Sequence, residues 1–176
     1  KRNEFGETAS EFEGSHSMDN LFMRHSVRRF KNTEVEPEKI EKLVKAGMAA
    51  PTAGNQQESR FIVVTDRDLL EKLSKCSPYA GCAAKAPLAI VPVADLNGAK
   101  FPEFWQQDLA AAMENILVEA VSLDLGGVWL GAAPLEERTD YLTEMFGLPE
   151  NIKPFAIAVI GYPDKPPIAD GRIYDM

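Results

Sequence analysis

A single domain of mixed α and β structure is what this sequence predicts, and three observations carry that expectation. Segments with a helical apolar period alternate with short β-branched runs, one helix-type segment spans about five turns, and no linker-like or repetitive stretch divides the chain. At 176 residues and 45% hydrophobic content, the chain is long enough to bury one substantial core.

Lys1 to Ser17 is polar and acidic, with Phe5 and Phe12 as its only large apolar groups. Gly14-Ser15-His16-Ser17 looks like a vector scar ahead of Met18, so residues 1–17 read as a tag or disordered arm and residues 18–176 as the domain. Leu21 and Phe22 predict a short helix that breaks near Ser26, and Phe30 begins an extended link. Pro37 stands where a first helical turn tolerates proline, and Ile40, Leu43, Val44, Gly47 and Met48 follow at the spacing of one buried face. That helix stops before Pro51, because proline disfavours helical geometry in the residue preceding it. Pro51 to Gln57 is a polar loop delivering into a strand at Phe61 to Val64.

Asp66 caps a helix carrying Leu69, Leu70 and Leu73. Leu88 to Val93 is a buried strand, which Pro92 assigns to a sheet edge or a bulge. After an irregular stretch from Asp95 to Pro102, the residues Leu109, Met113, Ile116, Leu117, Ala120 and Val121 mark a helix over Gln106 to Leu125. Gly126-Gly127 is expected to end it. Val128 to Leu130 is a third strand, Pro134 starts a helix with Leu142 and Phe146, and Phe155 to Ile160 is a fourth strand closed by Gly161-Tyr162-Pro163.

The balance of 19 Lys+Arg against 27 Asp+Glu gives a net charge of −8, which argues against nucleic acid as a partner. No apolar run reaches the roughly 18 to 20 residues of a membrane span, so no membrane partner is expected. Cys76 and Cys82 are too few and too oddly spaced for a disulfide framework or a zinc site. They read as packing thiols in a reduced, cytoplasmic compartment, with no metal. HExxH, GxSxG and GxxxxGK[ST] patterns are absent, which removes the parts of zinc hydrolases, serine hydrolases and P-loop NTPases.

Against this acidic background Arg24, His25, Arg28, Arg29 and Lys31 cluster around Ser26. Arginine forks and a serine hydroxyl suit a phosphate, although a solvated basic face explains the same charges. Asn55, Gln56 and Gln57 offer amides that suit the mixed edge of a heterocycle, or simply form a turn. Gly126-Gly127 and Gly131 flank a strand where a backbone can approach a planar ligand, and helix capping accounts for the first pair equally well. A phosphate-sized basic site without a catalytic dyad points to a cofactor that carries the reaction, flavin or nicotinamide, while the GxGxxG fingerprint of a dinucleotide fold is missing.

Five motifs in order resemble the FMN-dependent nitroreductase family. They are Arg24-His25-Ser26-Val27-Arg28-Arg29-Phe30; Ala50-Pro51-Thr52-Ala53-Gly54-Asn55-Gln56-Gln57; Asp108 with Ala112 and Glu114-Asn115-Ile116-Leu117; Gly126 to Gly131; and Gly161-Tyr162-Pro163 through Arg172. The resemblance runs from about Leu21 to Tyr174. It implies an α+β sandwich with a mixed, mainly antiparallel sheet flanked by helices, and a homodimer with FMN in clefts at the subunit interface. By position, Arg24 and Ser26 would hold the FMN phosphate or ribityl chain together with Arg172, and His25 would contribute mainly backbone. Arg28 would face the pyrimidine edge, where its charge favours the reduced flavin. Pro51, Thr52, Ala53, Asn55 and Gln57 would come from the partner chain, and the backbone of Leu130 and Gly131 would approach flavin N5.

This chain departs from the family pattern in two places. Glu58-Ser59 stands where relatives commonly have Pro-Trp, and the sequence stops at Met176, where relatives continue into a tail that embraces the partner. The helix over Gln106 to Leu125 is then expected to carry the dimer contact. No secure match is found for the contacts some relatives draw from Tyr79 to Lys85.

The activity implied is a ping-pong transfer of hydride from NADH or NADPH, through the flavin, to a small-molecule acceptor such as a nitroaromatic or quinone. Phe101, Phe104 and Trp105 are expected either to shape the acceptor pocket, by analogy with the variable region of relatives, or to serve the core. The alternatives are an FMN-binding sensor or carrier without turnover, or another flavin chemistry on the same fold such as reductive dehalogenation.

Overall fold

The structure is a computed structural model and describes residues 16–165. Arg172 and residues 1–15 of the arm lie outside the described residues, and the first helix begins at His16, within the segment set aside by sequence. Ten main elements follow in order: α1 (His16–Met23), α2 (Pro37–Met48), β1 (Ser59–Val64), α3 (Arg67–Leu73), β2 (Leu88–Asp95), α4 (Trp105–Ser122), β3 (Gly126–Gly131), α5 (Glu136–Phe146), β4 (Ile152–Pro154) and β5 (Ala156–Gly161).

The strands form one five-stranded sheet in the order β1-β2-β5-β3, with β4 beside the far end of β2. Every strand pair is antiparallel. Among the described residues the only parallel pairing is a bridge between Ser26 and Gly127.

Both faces of the sheet are covered, which is why β2 reads as a continuous apolar run rather than an alternating one. Leu88, Ile90 and Ala94 pack with Leu43, Leu109, Met113 and Ile116 under α2 and α4. Ala89, Val91 and Val93 pack with Leu70, Leu73 and Leu142 under α3 and α5.

Pro92 does not mark an edge, because β2 is an interior strand. Residues Leu88 to Ile90 pair with β5 and Val93 to Asp95 with β4, so Pro92 falls at the break between two partners. Its carbonyl accepts the Phe155 N–H at 3.0 Å, and its missing N–H is not needed there.

The predicted helices form with small shifts at their ends. Met48 continues the apolar spacing of α2 but is 67% exposed, because the buried face ends one residue earlier at Gly47. The Asp66 carboxylate accepts the Leu69 N–H at 2.9 Å, the capping bond read from the sequence. Three-residue β4 escaped the sequence reading because it is too short to show a period.

Gly126 and Gly127 do not cap α4. The helix ends at Ser122, the turn is made by Asp124 at φ 62°, and both glycines open β3. Packing is what requires them small: a Cβ on Gly126 would sit 2.6 Å from Val27 Cγ2, and one on Gly127 would sit 3.0 Å from Leu117 Cδ2 and 3.1 Å from the Val159 carbonyl.

Cys76 is buried and Cys82 half-buried, and burial pushes both thiols up, as expected of packing groups. Among the described residues no helix is long and apolar enough to cross a membrane, and no cluster of three or more metal-ligating side chains occurs.

Candidate functional site

The basic segment is built onto the free edge of the sheet. β3 is the last strand, and the chain from Ser26 runs alongside it in parallel. The Val27 N–H donates to the Gly127 carbonyl at 2.9 Å, the Lys31 N–H to the Tyr162 carbonyl at 2.8 Å, and the Asp164 N–H to the Arg29 carbonyl at 3.0 Å. Val27 turns into the core, and Ser26, Arg28 and Arg29 stay exposed. Leu130 and Gly131 lie further along the same strand, about 13 Å beyond Gly127 at the usual rise per residue. Ser26, Arg28, Leu130 and Gly131 therefore share one edge of one chain.

The other basic candidates point elsewhere. Arg24 Nε lies 3.3 Å from Glu114 Oε1 on α4, an ion pair with the Arg24 side chain 22% exposed. His25 Nδ1 is 3.0 Å from the Met23 carbonyl. His25 also lines a cavity of about 370 Å³ with Val27, Lys31, Asp124 and Pro163, and none of Arg28, Leu130 or Gly131 belongs to its walls.

The loop from Pro51 to Gln57 is a tight 3₁₀ turn at Ala53–Asn55. Gly54, Asn55 and Gln57 take φ values of 56°, 53° and 54°, a left-handed conformation that glycine and asparagine adopt most readily. The Thr52 hydroxyl accepts the Gln57 N–H at 3.0 Å and closes the loop. Gly54 also packs directly under the Phe101 ring, where a side chain would not fit.

Asp108, 7% exposed in the first turn of α4, anchors the loop from below. Both of its oxygens lie 3.0 Å from the Ala53 N–H, and its Oδ2 accepts from Gln56 Nε2 at 2.9 Å. Gln56 in turn donates to the Phe101 carbonyl at 3.1 Å and accepts the Phe101 N–H at 3.0 Å. Gln56 is thus a clamp between two loops, and the Asn55 and Gln57 side chains remain exposed. Of the expected pocket aromatics, Phe101 and Phe104 are 41% and 40% exposed. Trp105 instead packs into the core, edge-on to Phe155 with centroids 6.2 Å apart.

α4 separates the two halves of the candidate site. Asp108 under the loop and Glu114 on Arg24 are six residues apart, which places them about 120° apart around the helix and about 9 Å apart along it. Within one chain the loop and the start of the basic segment thus face different directions.

Sequence reasoning passed over three groups that matter here. Asp108 was singled out only as part of a motif, and its buried position under the loop is a tertiary fact. Glu58, 3% exposed, was noted only as a departure from the family pattern. Arg138 on α5 gave no signal at all. It donates from Nη1 to the Gly131 carbonyl at 2.8 Å and lies 5.9 Å from the Tyr79 ring centroid.

Gly131 itself is exposed, and a Cβ added there would meet nothing within 4 Å. Packing therefore does not explain this glycine, in contrast to Gly126 and Gly127. An edge backbone open to a planar ligand, on the same sheet edge as the exposed cation Arg28 and hydroxyl Ser26, fits a flavin mononucleotide. The Nitroreductase family profile matches residues 21–77 and 75–162.

The chain belongs to the nitroreductase family. A curated relative from Archaeoglobus fulgidus, named "Putative NADH dehydrogenase/NAD(P)H nitroreductase", is 44% identical over 81% of this chain and 83% of its own length. A solved structure from Clostridium acetobutylicum, titled "Putative NADH Oxidase", superposes with TM-score 0.87 at 52% identity, covering 89% of this chain and 95% of that one. An "FMN-dependent Nitroreductase" from Clostridium difficile R20291 superposes with TM-score 0.80 at 31% identity, covering 86% of this chain and 91% of that one. The nitroreductase fold expected from the five motifs, an antiparallel sheet flanked by helices, is the fold observed.

Proposed function

We propose that this nitroreductase family protein is an FMN-dependent oxidoreductase. It takes hydride from NADH or NADPH and passes it to a small-molecule acceptor such as a nitroaromatic or quinone. The observation that carries the reading is the exposed pair Ser26 and Arg28 on a segment running parallel to an edge strand that ends at the open backbone of Gly131. Relatives named as an FMN reductase in Bacillus subtilis and as an NADPH-flavin oxidoreductase in Vibrio harveyi, 27% and 25% identical, support it.

When bound, FMN supplies a ring that accepts hydride from the nicotinamide and yields it to the acceptor, so no side chain is required as nucleophile or metal ligand. Arg24, which also pairs with Glu114, and Ser26 would hold the phosphate or ribityl chain together with Arg172, which lies outside the described residues, and the two guanidinium groups would compensate the phosphate charge. Arg28 would set a cation against the pyrimidine edge, where negative charge accumulates on reduction. The Leu130–Gly131 backbone would let the ring approach, since the space beside Gly131 is open.

The protein works as a homodimer in this reading. The Pro51–Gln57 loop and the basic segment of one chain diverge around α4, and a second copy brings the loop of one subunit, with Pro51, Thr52, Ala53, Asn55 and Gln57, to the basic segment of the other. One open face then serves nicotinamide and acceptor in turn, which gives ping-pong kinetics.

Anaerobic addition of NADH and NADPH to the FMN-loaded protein tests the reading. Bleaching of the yellow flavin followed by recovery on adding a quinone or nitroaromatic is the expected result. Flavin that stays oxidised would leave a carrier, and a protein that does not retain FMN would end the proposal.

Paired glycine substitutions separate ligand from packing. Gly131→Ala is expected to melt within about 0.5 kcal/mol of the parent, because its Cβ meets open space, yet to bind FMN measurably more weakly. Gly127→Ala is expected to lower stability by about 1–3 kcal/mol through overpacking against Leu117 and the Val159 carbonyl. Thermal melts alongside flavin fluorescence titrations read both effects.

A further inference from the structure

Glu58 directly follows the Pro51–Gln57 loop, and its surroundings are unusual for a carboxylate. It is 3% exposed, and neither of its side-chain oxygens has a hydrogen-bond partner. An ionised carboxylate in that position would lack the donors that burial demands.

Asp108 on α4 bears on the Glu58 carboxyl; it is itself 7% exposed and already accepts from Ala53 and from Gln56, two residues before Glu58. Two carboxyl groups placed together cannot both ionise cheaply, and one proton between them satisfies both.

We propose that Glu58 is a positioning residue that carries a proton in the working protein and donates it to Asp108. The resulting carboxyl–carboxylate pair holds the Ala53–Gln56 loop in its binding conformation. The proposal rests on the flavin reading of that loop.

The pair has a fixed end and a working end. The Glu58 carbonyl accepts the Asp95 N–H at 2.8 Å, which ties its backbone to β2 at the start of β1. Beyond Asp108 the chain of bonds continues through the Ala53 N–H and the Gln56 amide to the Phe101 backbone. A shared proton between Glu58 and Asp108 thus links the rigid sheet to both loops of the candidate site.

The other charged groups around Glu58 are occupied elsewhere. Arg60 on β1 donates to the Gln57 and Ser59 carbonyls. The Asp95 carboxylate on β2 accepts from Asn151 and from the Asn97 N–H. Burial is the largest influence and pushes the Glu58 carboxyl up from its ordinary value; its own backbone N–H pulls it down, the Asp108 carboxyl adds to the rise and the Gln56 amide opposes it, neither donor being in hydrogen-bonding geometry with its oxygens.

Linkage sets the sign of the pH dependence. An acid held above its unfolded value makes the folded state bind the proton more tightly. Stability contributed by the pair is therefore complete below the ordinary carboxylate range, declines as pH rises to the raised value, and stays level beyond it.

The test compares the full-length wild-type protein with Glu58→Gln, which keeps a neutral donor toward Asp108, and with Glu58→Ala, which removes the donor. Infrared spectra of the FMN-free proteins at neutral pH should contain a protonated-carboxyl carbonyl stretch in wild type that is absent from Glu58→Gln. The FMN dissociation constant of wild type should rise by about tenfold as pH climbs through the transition, a shift of one decade in affinity, and Glu58→Gln should lose that dependence. Exchange of the Ala53 amide should stay slow in Glu58→Gln and become fast in Glu58→Ala.

Absence of the infrared band at neutral pH, or identical pH profiles for wild type and Glu58→Gln, would overturn the proposal. The infrared arm needs no flavin. A protein that shows the band but does not bind FMN would therefore sink the functional reading and leave the shared proton standing.

Discussion

Asp108→Ala is expected to weaken FMN binding by at least about tenfold, the largest single effect of any residue that does not itself face the ligand. The carboxylate accepts from the Ala53 N–H and the Gln56 amide; without it the Ala53 N–H loses its partner and Gln56 keeps only its bonds to the Phe101 backbone. Hydrogen bonds to a charged group contribute about 1.5–3 kcal/mol each. Removing a buried anion recovers part of that, so a net stability loss of about 2–3 kcal/mol is the expected outcome.

The loop is also left-handed at Gly54, Asn55 and Gln57, a conformation that persists only where surrounding bonds hold it. Losing Asp108 should therefore release the loop before it unfolds the domain. Fluorescence titration with FMN, set beside a thermal melt of the FMN-free protein, checks the order. Equal losses in both measurements would count against a local role for Asp108.

Ile116→Ala should do the reverse, with a stability loss of about 2–5 kcal/mol and a much smaller change in FMN affinity at temperatures where the variant is folded. Ile116 is fully buried on α4 and packs in the cluster formed by Leu43, Leu88, Ile90 and Met113. A Cβ on Gly47 would sit 3.0 Å from its Cδ1, a measure of how closely α2 approaches α4. The cavity left by truncation lies between two helices held to one sheet, so little room exists for collapse. Urea denaturation of the FMN-free protein gives the loss directly, and a value below about 1 kcal/mol would mean that the site repacks.

The contrast between the two variants follows from where α4 places them. Asp108 sits in its first turn beneath a loop, and Ile116 sits at its centre against the sheet. One helix thus provides both the core and the platform of the candidate site.

Much of this was legible in the sequence because periodicity reports burial. Leu43, Leu109, Met113, Ile116 and Ala120 all fall on the buried faces predicted from their spacing. Asp66 announced its cap, and the five motifs carried the family. Periodicity also has a reach of one element and no further. Local reading assigned Pro92 to an edge or a bulge, and the residue sits where an interior strand exchanges one partner for another. It made Gly126 and Gly127 a helix cap, when close packing by Val27 and Leu117 requires them small. It could not show that Glu58 meets Asp108, because the two residues stand on different elements far apart in the chain.

What the sequence determined by itself is local and additive: which segments are helical or extended, which faces are apolar, and which charges crowd around Ser26. Only the tertiary structure decided which glycines answer to packing and which to open space, which acid anchors the Pro51–Gln57 loop, and which acid lacks a donor. Those properties depend on contacts between distant segments, and a carboxyl group takes its protonation from its neighbours in space rather than from its neighbours in the chain.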